Sequence, residues 1–426
     1  MGRAADLLVA GDAGAASELA EALRMLGLSA VSCPFDMLER RAAEMRADGV
    51  VTLGPAPAPE LPPGCVRIAV DADDDARADA VLRGPAHPIQ IAARMRALLR
   101  LRVLERTARL RGRDLRAFGA DPAPVSTAET PASVLYVGEP GPVFMSLSHA
   151  LSARGGELVG AFSTFNAFDY LHERAFDAVA LNAAPTPETA HTVCSAMRRN
   201  TRLYHTPAVI LTPQEFYPEA DEAFARGASD ILPADTGEAE IGRRLLGLAA
   251  ERRRRRDAKA LLDACRVTRV LDDATDLFSE RFARSHAASL LEEAARTGAA
   301  LSVVALEAGA PETAGPSDGP RAMRALTEFA SMLRHCVRAE DLSARMGRDR
   351  FCLILPATSA HEAEVVADRV RAIAECTAYE SEDPLNPFRM EIRHAAVEAN
   401  ADEAGDALLA RAFDALPARE RRREAV

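Results

Sequence analysis

The strongest constraint in this 426-residue sequence is a pattern stated twice. From DLLVAGD (6–12) onward, short apolar runs alternate with stretches of helical period: ASELAEALRMLG (16–27), SAVSC (29–33), MLERRAAEMRA (37–47), DGVVTLG (48–54), VRIAVD (66–71) and a long basic helix over 87–118. A linker rich in Pro, Ala and small polar residues follows (119–133), and the grammar then returns about 130 residues on. SVLYVGE (133–139), ELVGAFS (157–163), FDAVALN (176–182), PAVILT (207–212) and ASDILPA (228–234) read as strands, MSLSHALSARGG (145–156) as a helix, and 240–256 as the closing helix. Strands alternating with helices specify a parallel sheet covered on both faces, because parallel neighbours need a crossover long enough to be a helix.

A chain of this length exceeds one ordinary core, so two or three domains are expected. Apolar residues make up 48% and charged residues 27%, a globular balance. No apolar run reaches the ~18–20 residues that span a bilayer. Arg3, Asp6 and Asp12 interrupt any signal-peptide core, Asp6 spoils a myristoylation pattern, and a cytoplasmic protein without membrane insertion is expected. Seven cysteines (33, 65, 194, 265, 336, 352, 376) without a C-x-x-C pair read as reduced, packed thiols, not disulfides or a zinc site. A net charge of −11 argues against a nucleic-acid partner. Arg252–Arg256, between Glu251 and Asp257, reads as a solvated helix face.

After Asp257 the pattern changes to long helices, a strand LSVVALE (301–307), a hairpin, another helix and a strand. The hairpin strands, Asp341–Met346 and Phe351–Pro356, flank the tip Gly347-Arg348-Asp349-Arg350. Helix 359–376 opens with Ser359 and Glu362 in capping-box spacing.

Both repeats resemble receiver domains of two-component response regulators, on their spacing and on endings such as RGASDILPADTG (226–237). The last third resembles a GGDEF domain. The whole layout, receiver domain 1–118, receiver domain 132–256 and GGDEF domain 257–426, is similar to PleD-type response regulators. The resemblance implies an α/β fold: two flavodoxin-like domains, then a nucleotidyl-cyclase-like domain.

It also implies what should have been kept for chemistry. A receiver needs metal-binding carboxylates, a phosphoacceptor aspartate, and a Thr/Ser and Lys that read the phosphoryl group. In the first repeat Asp12 could be one carboxylate, but the phosphoacceptor position falls on Leu53 or Gly54 and the Lys position on His87. In the second, Glu139 and Thr212 remain, while Asn182 stands at the phosphoacceptor position and Ala234 at the Lys position. An amide cannot form an acyl phosphate, so neither receiver is expected to be phosphorylated.

A GGDEF cyclase joins two GTP molecules using metal ions held by carboxylates. Glu307 sits at the first metal position and could still bind a cation; Arg350 replaces the tip glutamate and Arg348 the second glycine. Were Arg348 to keep a left-handed backbone, the exchange would cost ~1 kcal/mol. The guanine-reading stretch has become AGAPETAGPSDGPRAM (308–323), with Ala314 and Met323 near the expected base-reading places, and DDATDLFSERF (272–282) replaces the usual opening. A catalytically dead, degenerate domain with no metal requirement is expected.

What survives is an Arg-x-x-Asp motif, Arg338-Ala-Glu-Asp341, five residues before the tip. In this family the motif is a second site, for cyclic di-GMP, and the spacing implies that Arg369 on the following helix assists. Arginine pairs with guanine O6 and N7 or clamps phosphate, and a carboxylate accepts from the guanine N1–H and N2–H edge. The spacing recurs elsewhere, as at Arg111–Asp114 and Arg174–Asp177, where it reads as a surface i,i+3 ion pair. The resemblance to non-catalytic family members implies a homodimeric cyclic di-GMP effector that recruits protein partners, a protease adaptor and its substrate, at the cell pole. Two alternatives remain at this point: a divergent cyclase using Glu307 and Asp349, and a scaffold that dimerises without nucleotide.

Overall fold

The computed structural model describes residues 6–55, 58–72, 77–83, 86–125, 130–184, 187–213, 220–309, 320–379 and 387–418. They gather into two compact units: Ala4–Arg102 with Thr127–Asp257, and Val103–Ser126 with Ala258–Val426.

The first repeat runs β1 (Asp6–Ala10), α1 (Ala13–Met25), β2 (Ser29–Cys33), α2 (Leu38–Met45), β3 (Gly49–Leu53), β4 (Val66–Val70), β5 (Ala80–Leu82) and α3 (Pro88–Ala117). Its sheet is parallel, in the order β2-β1-β3-β4-β5. β5 is the strand that sequence patterning missed; three residues, Ala80–Leu82, are too few to show a period. Leu7 and Val9 pack on one face with Ala16, Ala20 and Leu23 of α1, while Leu8 and Ala10 pack on the other with Leu38 and Ala42 of α2. Alternate residues are therefore buried on both sides, which is why β1 is apolar from Leu7 to Ala10.

The second repeat contains β6 (Ala132–Val137), α4 (Pro142–Ser152), β7 (Gly156–Ala161), α5 (Thr164–Glu173), β8 (Ala178–Asn182), α6 (Pro187–Arg199), β9 (Ala208–Thr212), α7 (Ala220–Ala225), β10 (Asp230–Pro233) and α8 (Glu238–Ala264). Its order, β10-β9-β8-β6-β7, is the first repeat's order seen from the opposite edge. Both are the flavodoxin-like arrangement. α8 continues past the expected residue 256, through Asp257, to Ala264. Within this unit α3 meets the second sheet through buried polar groups. Gln90 Nε2 donates to Asp230 Oδ1 at 2.5 Å, Arg244 Nε donates to Asp230 Oδ2 at 2.8 Å, and Arg94 pairs with Glu251. The arginine run is also less solvated than its composition implies: Arg253 donates to Asp177 Oδ2 at 2.9 Å and to the carbonyls of Thr130 and Pro131, both at 2.7 Å.

The third sheet carries β11 (Phe278–Ser279), α9 (Glu280–Thr297), β12 (Leu301–Gly309), α10 (Pro320–His335), β13 (Leu342–Arg345), β14 (Arg350–Pro356), α11 (Ala360–Cys376), β15 (Glu391–Glu398) and α12 (Gly405–Asp414). The order is β11-β13-β14-β12-β15, antiparallel except where β11 pairs with β13. Phe351, Leu353 and Leu355 of β14 enter one apolar cluster with α10 and α11, while Cys352 and Ile354 enter another with α9 and α12. Burying each such large side chain contributes about 1.5–3 kcal/mol relative to exposure, so a one-residue slip that flipped both faces would be strongly disfavoured. No helix among the described residues is long and apolar enough to cross a membrane. The seven cysteines are free thiols.

Candidate functional site

The Arg338–Asp341 motif forms the turn between α10 and β13 and closes on itself, Asp341 Oδ2 accepting from the Arg338 backbone N–H at 2.8 Å. α11 lies alongside, and its start is fixed by a complete capping box in which Ser359 and Glu362 satisfy each other's backbone N–H groups. On the helix face that this cap orients, Arg369 Nη2 donates to the Cys336 carbonyl at 2.7 Å. Arg338, Asp341 and Arg369 thereby line one cavity of about 430 Å³, together with His335, Glu362 and Val366.

The two arginines are exposed, whereas Asp341 is only 7% exposed. Its second oxygen, Oδ1, is buried without a hydrogen-bond partner among the described residues. Burial, reinforced by the neighbouring Glu340, pushes its carboxyl up to about 7; the Arg338 backbone N–H and the charges of Arg338 and Arg111 oppose this. A carboxyl group with an unsatisfied oxygen lining a cavity is a ready acceptor for N–H donors.

The hairpin tip is arranged differently. Strand register places Glu307 opposite Arg350 on one side and Arg393 on the other. Glu307 pairs with both, its Oε2 lying 3.7 Å from Arg350 Nε. The position where a cation was considered is thus flanked by two guanidinium groups. The Asp349 carbonyl accepts from the Ala308 N–H at 2.9 Å, tying the tip to β12. The carbonyls of Gly347 and Arg348 accept from Arg345 at 2.9 and 3.1 Å. Arg348 is not among the residues with left-handed backbone, so the strain considered for it does not arise. Residues 310–319 and with them Ala314 lie outside the described residues; Met323 packs against the β14–α10–α11 cluster.

Asn182, which the receiver resemblance sets at the phosphoacceptor position, donates from Nδ2 to Tyr136 Oη at 3.1 Å, and that hydroxyl donates to the Glu139 carbonyl at 3.0 Å. In the first repeat Asp12 caps α1, its Oδ1 accepting from the Gly14 N–H at 3.0 Å.

Two features escaped the sequence reading. The Arg111–Asp114 pair is not a surface ion pair. Arg111 donates to the carbonyls of Glu340 and Asp341 at 2.7 and 3.1 Å, and Asp114 Oδ2 lies 2.7 Å from His286 Nδ1, both side chains buried. Likewise Arg174 reaches Ser133 and Glu157 rather than Asp177. The motif gave the spacing but not the tertiary partner. Separately, Glu364 and Asp368 of α11 face His394 of β15, whose Nε2 lies 3.0 Å from Glu364 Oε1.

The hairpin and the helix-flanked Arg-x-x-Asp turn belong to the mixed sheet of the last third of the chain. Residues 269–424 match the family described as diguanylate cyclase, GGDEF domain. The chain is homologous to the response regulator PleD of Caulobacter vibrioides, at 26% identity over 199 residues, 46% of this chain and 43% of PleD. The chain therefore spans less than half the length of that relative in the matched stretch. Among solved structures it is similar to the GGDEF domain of DgcB from Caulobacter crescentus in complex with c-di-GMP (16% identity, 35% of this chain and 86% of that one, TM-score 0.33). It is also similar to a response regulator from Thermotoga maritima (19% identity, 28% of this chain and 98% of that one, TM-score 0.26).

Proposed function

We propose that this protein is a non-enzymatic effector that binds cyclic di-GMP in the cavity lined by Arg338, Asp341 and Arg369. The observation that carries the reading is the buried, unpaired Oδ1 of Asp341 in a cavity that also presents two exposed arginines. A guanine supplies N1–H and N2–H donors for the carboxylate, and its O6/N7 edge or the phosphates suit the arginines. The metal position of a cyclase, in contrast, has its carboxylate paired with Arg350 and Arg393. A cation there would have to displace two guanidinium groups, and supports of this kind favour a pseudo-cyclase that needs no metal.

On this reading the degenerate domains are 1–118, 132–256 and 257–426, the two receivers serve as scaffold, and neither is phosphorylated. The properties resemble those of PopA, a non-catalytic cyclic di-GMP effector. By that resemblance the chain is a cytoplasmic homodimer that recruits a protease adaptor and its substrate at the cell pole in cell-cycle-linked proteolysis. Two measurements test the core of the proposal. Calorimetric titration with cyclic di-GMP should give saturable binding, and incubation with GTP and Mg²⁺ should give no cyclic di-GMP. Sustained Mg²⁺-dependent synthesis would replace this reading with a divergent cyclase using Glu307 and Asp349. Absence of binding would leave a nucleotide-independent scaffold.

A further inference from the structure

Arg111, in α3, is buried at 2% exposure, and its hydrogen bonds run to backbone carbonyls rather than to a carboxylate. Nη2 donates to Glu340 O at 2.7 Å and Asp341 O at 3.1 Å, and Nη1 to Ala339 O at 3.4 Å. The guanidinium carbon stands 5.5 Å from the Phe278 ring centroid. Burying a cation without an ion pair is costly, and burial pulls this guanidinium down to about 10. A leucine would fill the space at lower cost. What only an arginine fork supplies is a simultaneous hold on three successive carbonyls of one turn.

We propose that Arg111 is the positioning residue of the ligand cavity: it fixes the Ala339–Asp341 backbone that carries Asp341 and adjoins Arg338, and it keeps a positive charge beside the Asp341 carboxylate that accepts the ligand's N–H donors. This inference rests on the cavity being the cyclic di-GMP site. It carries a consequence that a purely structural arginine would lack. In the empty cavity Asp341 holds its proton up to about 7. Donors from the ligand favour the carboxylate, so below that pH binding must expel a proton, and affinity falls toward tenfold per pH unit. The groups facing this carboxyl are Glu340, which favours the acid, and Arg338 and Arg111, which favour the anion. Around them stand His335 at the end of α10, Glu362 and Arg369 on α11, and Cys265 and Arg266 next to Arg111. Removing the Arg111 charge should therefore move the pH midpoint of binding upward.

The test is calorimetric titration of the full chain with cyclic di-GMP between about pH 5.5 and 8.5, for wild type, Arg111→Met, Arg111→Lys, Asp341→Asn and Arg338→Ala. Arg111→Met should weaken binding about tenfold at neutral pH and raise the midpoint by about half a unit. Arg111→Lys keeps the charge without the fork, so it should restore the midpoint and recover only part of the affinity. Asp341→Asn should flatten the profile, which ties the released proton to this carboxyl. If Arg338→Ala weakens binding while folded Arg111→Met matches wild type in affinity and midpoint, the inference is overturned and the site stands. Should Arg111→Met fail to fold, Arg111→Lys decides: unchanged affinity overturns the proposal, and a loss of roughly threefold or more with an unmoved midpoint supports it. If Arg338→Ala binds as wild type does, the cavity reading fails and this inference falls with it.

Discussion

Two carboxylates in the GGDEF domain are buried to the same degree, Glu307 and Asp341 both at 7% exposure, and their surroundings are opposite. Glu307 alternates with Leu301, Val303 and Ala305 and so lies on the α9–α12 face of the sheet, where Arg350 and Arg393 pair with it. The cavity of Asp341 opens on the other face, beside Leu355 and Val366, and one carboxyl oxygen has no hydrogen-bond partner among the described residues. Burial alone says little about whether a carboxylate can serve a ligand. What decides is whether its charge is already balanced within the fold. The first site is closed on itself and the second is open.

The sharpest break of this comparison concerns stability without ligand. The Asp341 carboxyl is held near 7 in the folded protein against about 4 in an ordinary environment, so the folded state binds its proton more tightly than the unfolded state. Stability is therefore lost as pH rises from about 4 to about 7 and is flat above that. Asp341→Asn removes this dependence. Its stability advantage over wild type should grow through that window, to no more than about 4 kcal/mol. Urea denaturation at several pH values checks it; parallel curves for the two proteins would mean that Asp341 is not a strained acid.

Glu307→Gln probes the closed site. It removes the charge between Arg350 and Arg393, both of which keep some solvent access, so the cost should be about 1–3 kcal/mol, less than for a fully buried pair. Cyclic di-GMP affinity should stay within about twofold, because the two sites occupy opposite sheet faces. A large loss of binding in a folded variant would show that the sites are coupled.

For the open site, Arg338→Ala removes a charge-assisted contact and should weaken cyclic di-GMP binding by about 1–3 kcal/mol, or roughly tenfold to a hundredfold. Its folding stability should hardly change, since the side chain is exposed. Titration and melting of the same sample read both quantities.

How much of this was legible in the sequence follows the same division between local and tertiary information. The repeated strand–helix grammar gives both parallel sheets, and FCLILP gives β14, because period and length are local properties. It was the resemblance to GGDEF domains that grouped Arg338, Asp341 and Arg369, on the spacing of the turn, hairpin and helix that carry them in succession. Arg111 could not be placed with them: 230 residues separate it from Asp341, and no local pattern reports a partner at that distance. The same holds for Arg393 beside Glu307, which is set by strand register between β12 and β15. β5, three residues long, was invisible for a different reason, having no period to detect.

The smallest expected effect sharpens the local side of that contrast. Ser359 caps α11, its hydroxyl oxygen accepting from the Glu362 N–H at 3.4 Å while Glu362 Oε2 accepts from the Ser359 N–H at 3.0 Å. Ser359→Ala removes half of the box and should cost about 1 kcal/mol of stability. Arg369 sits more than two turns along the helix and is held separately by its bond to the Cys336 carbonyl. Fraying at the first turn should therefore reach it weakly, and cyclic di-GMP affinity should fall by no more than about twofold. The variant thus reads whether the cavity depends on the exact seating of α11 or only on the presence of its middle. A loss in affinity as large as that of Arg338→Ala, with stability reduced by only about 1 kcal/mol, would place the ligand-reading geometry in the helix start and in Glu362, which also lines the cavity.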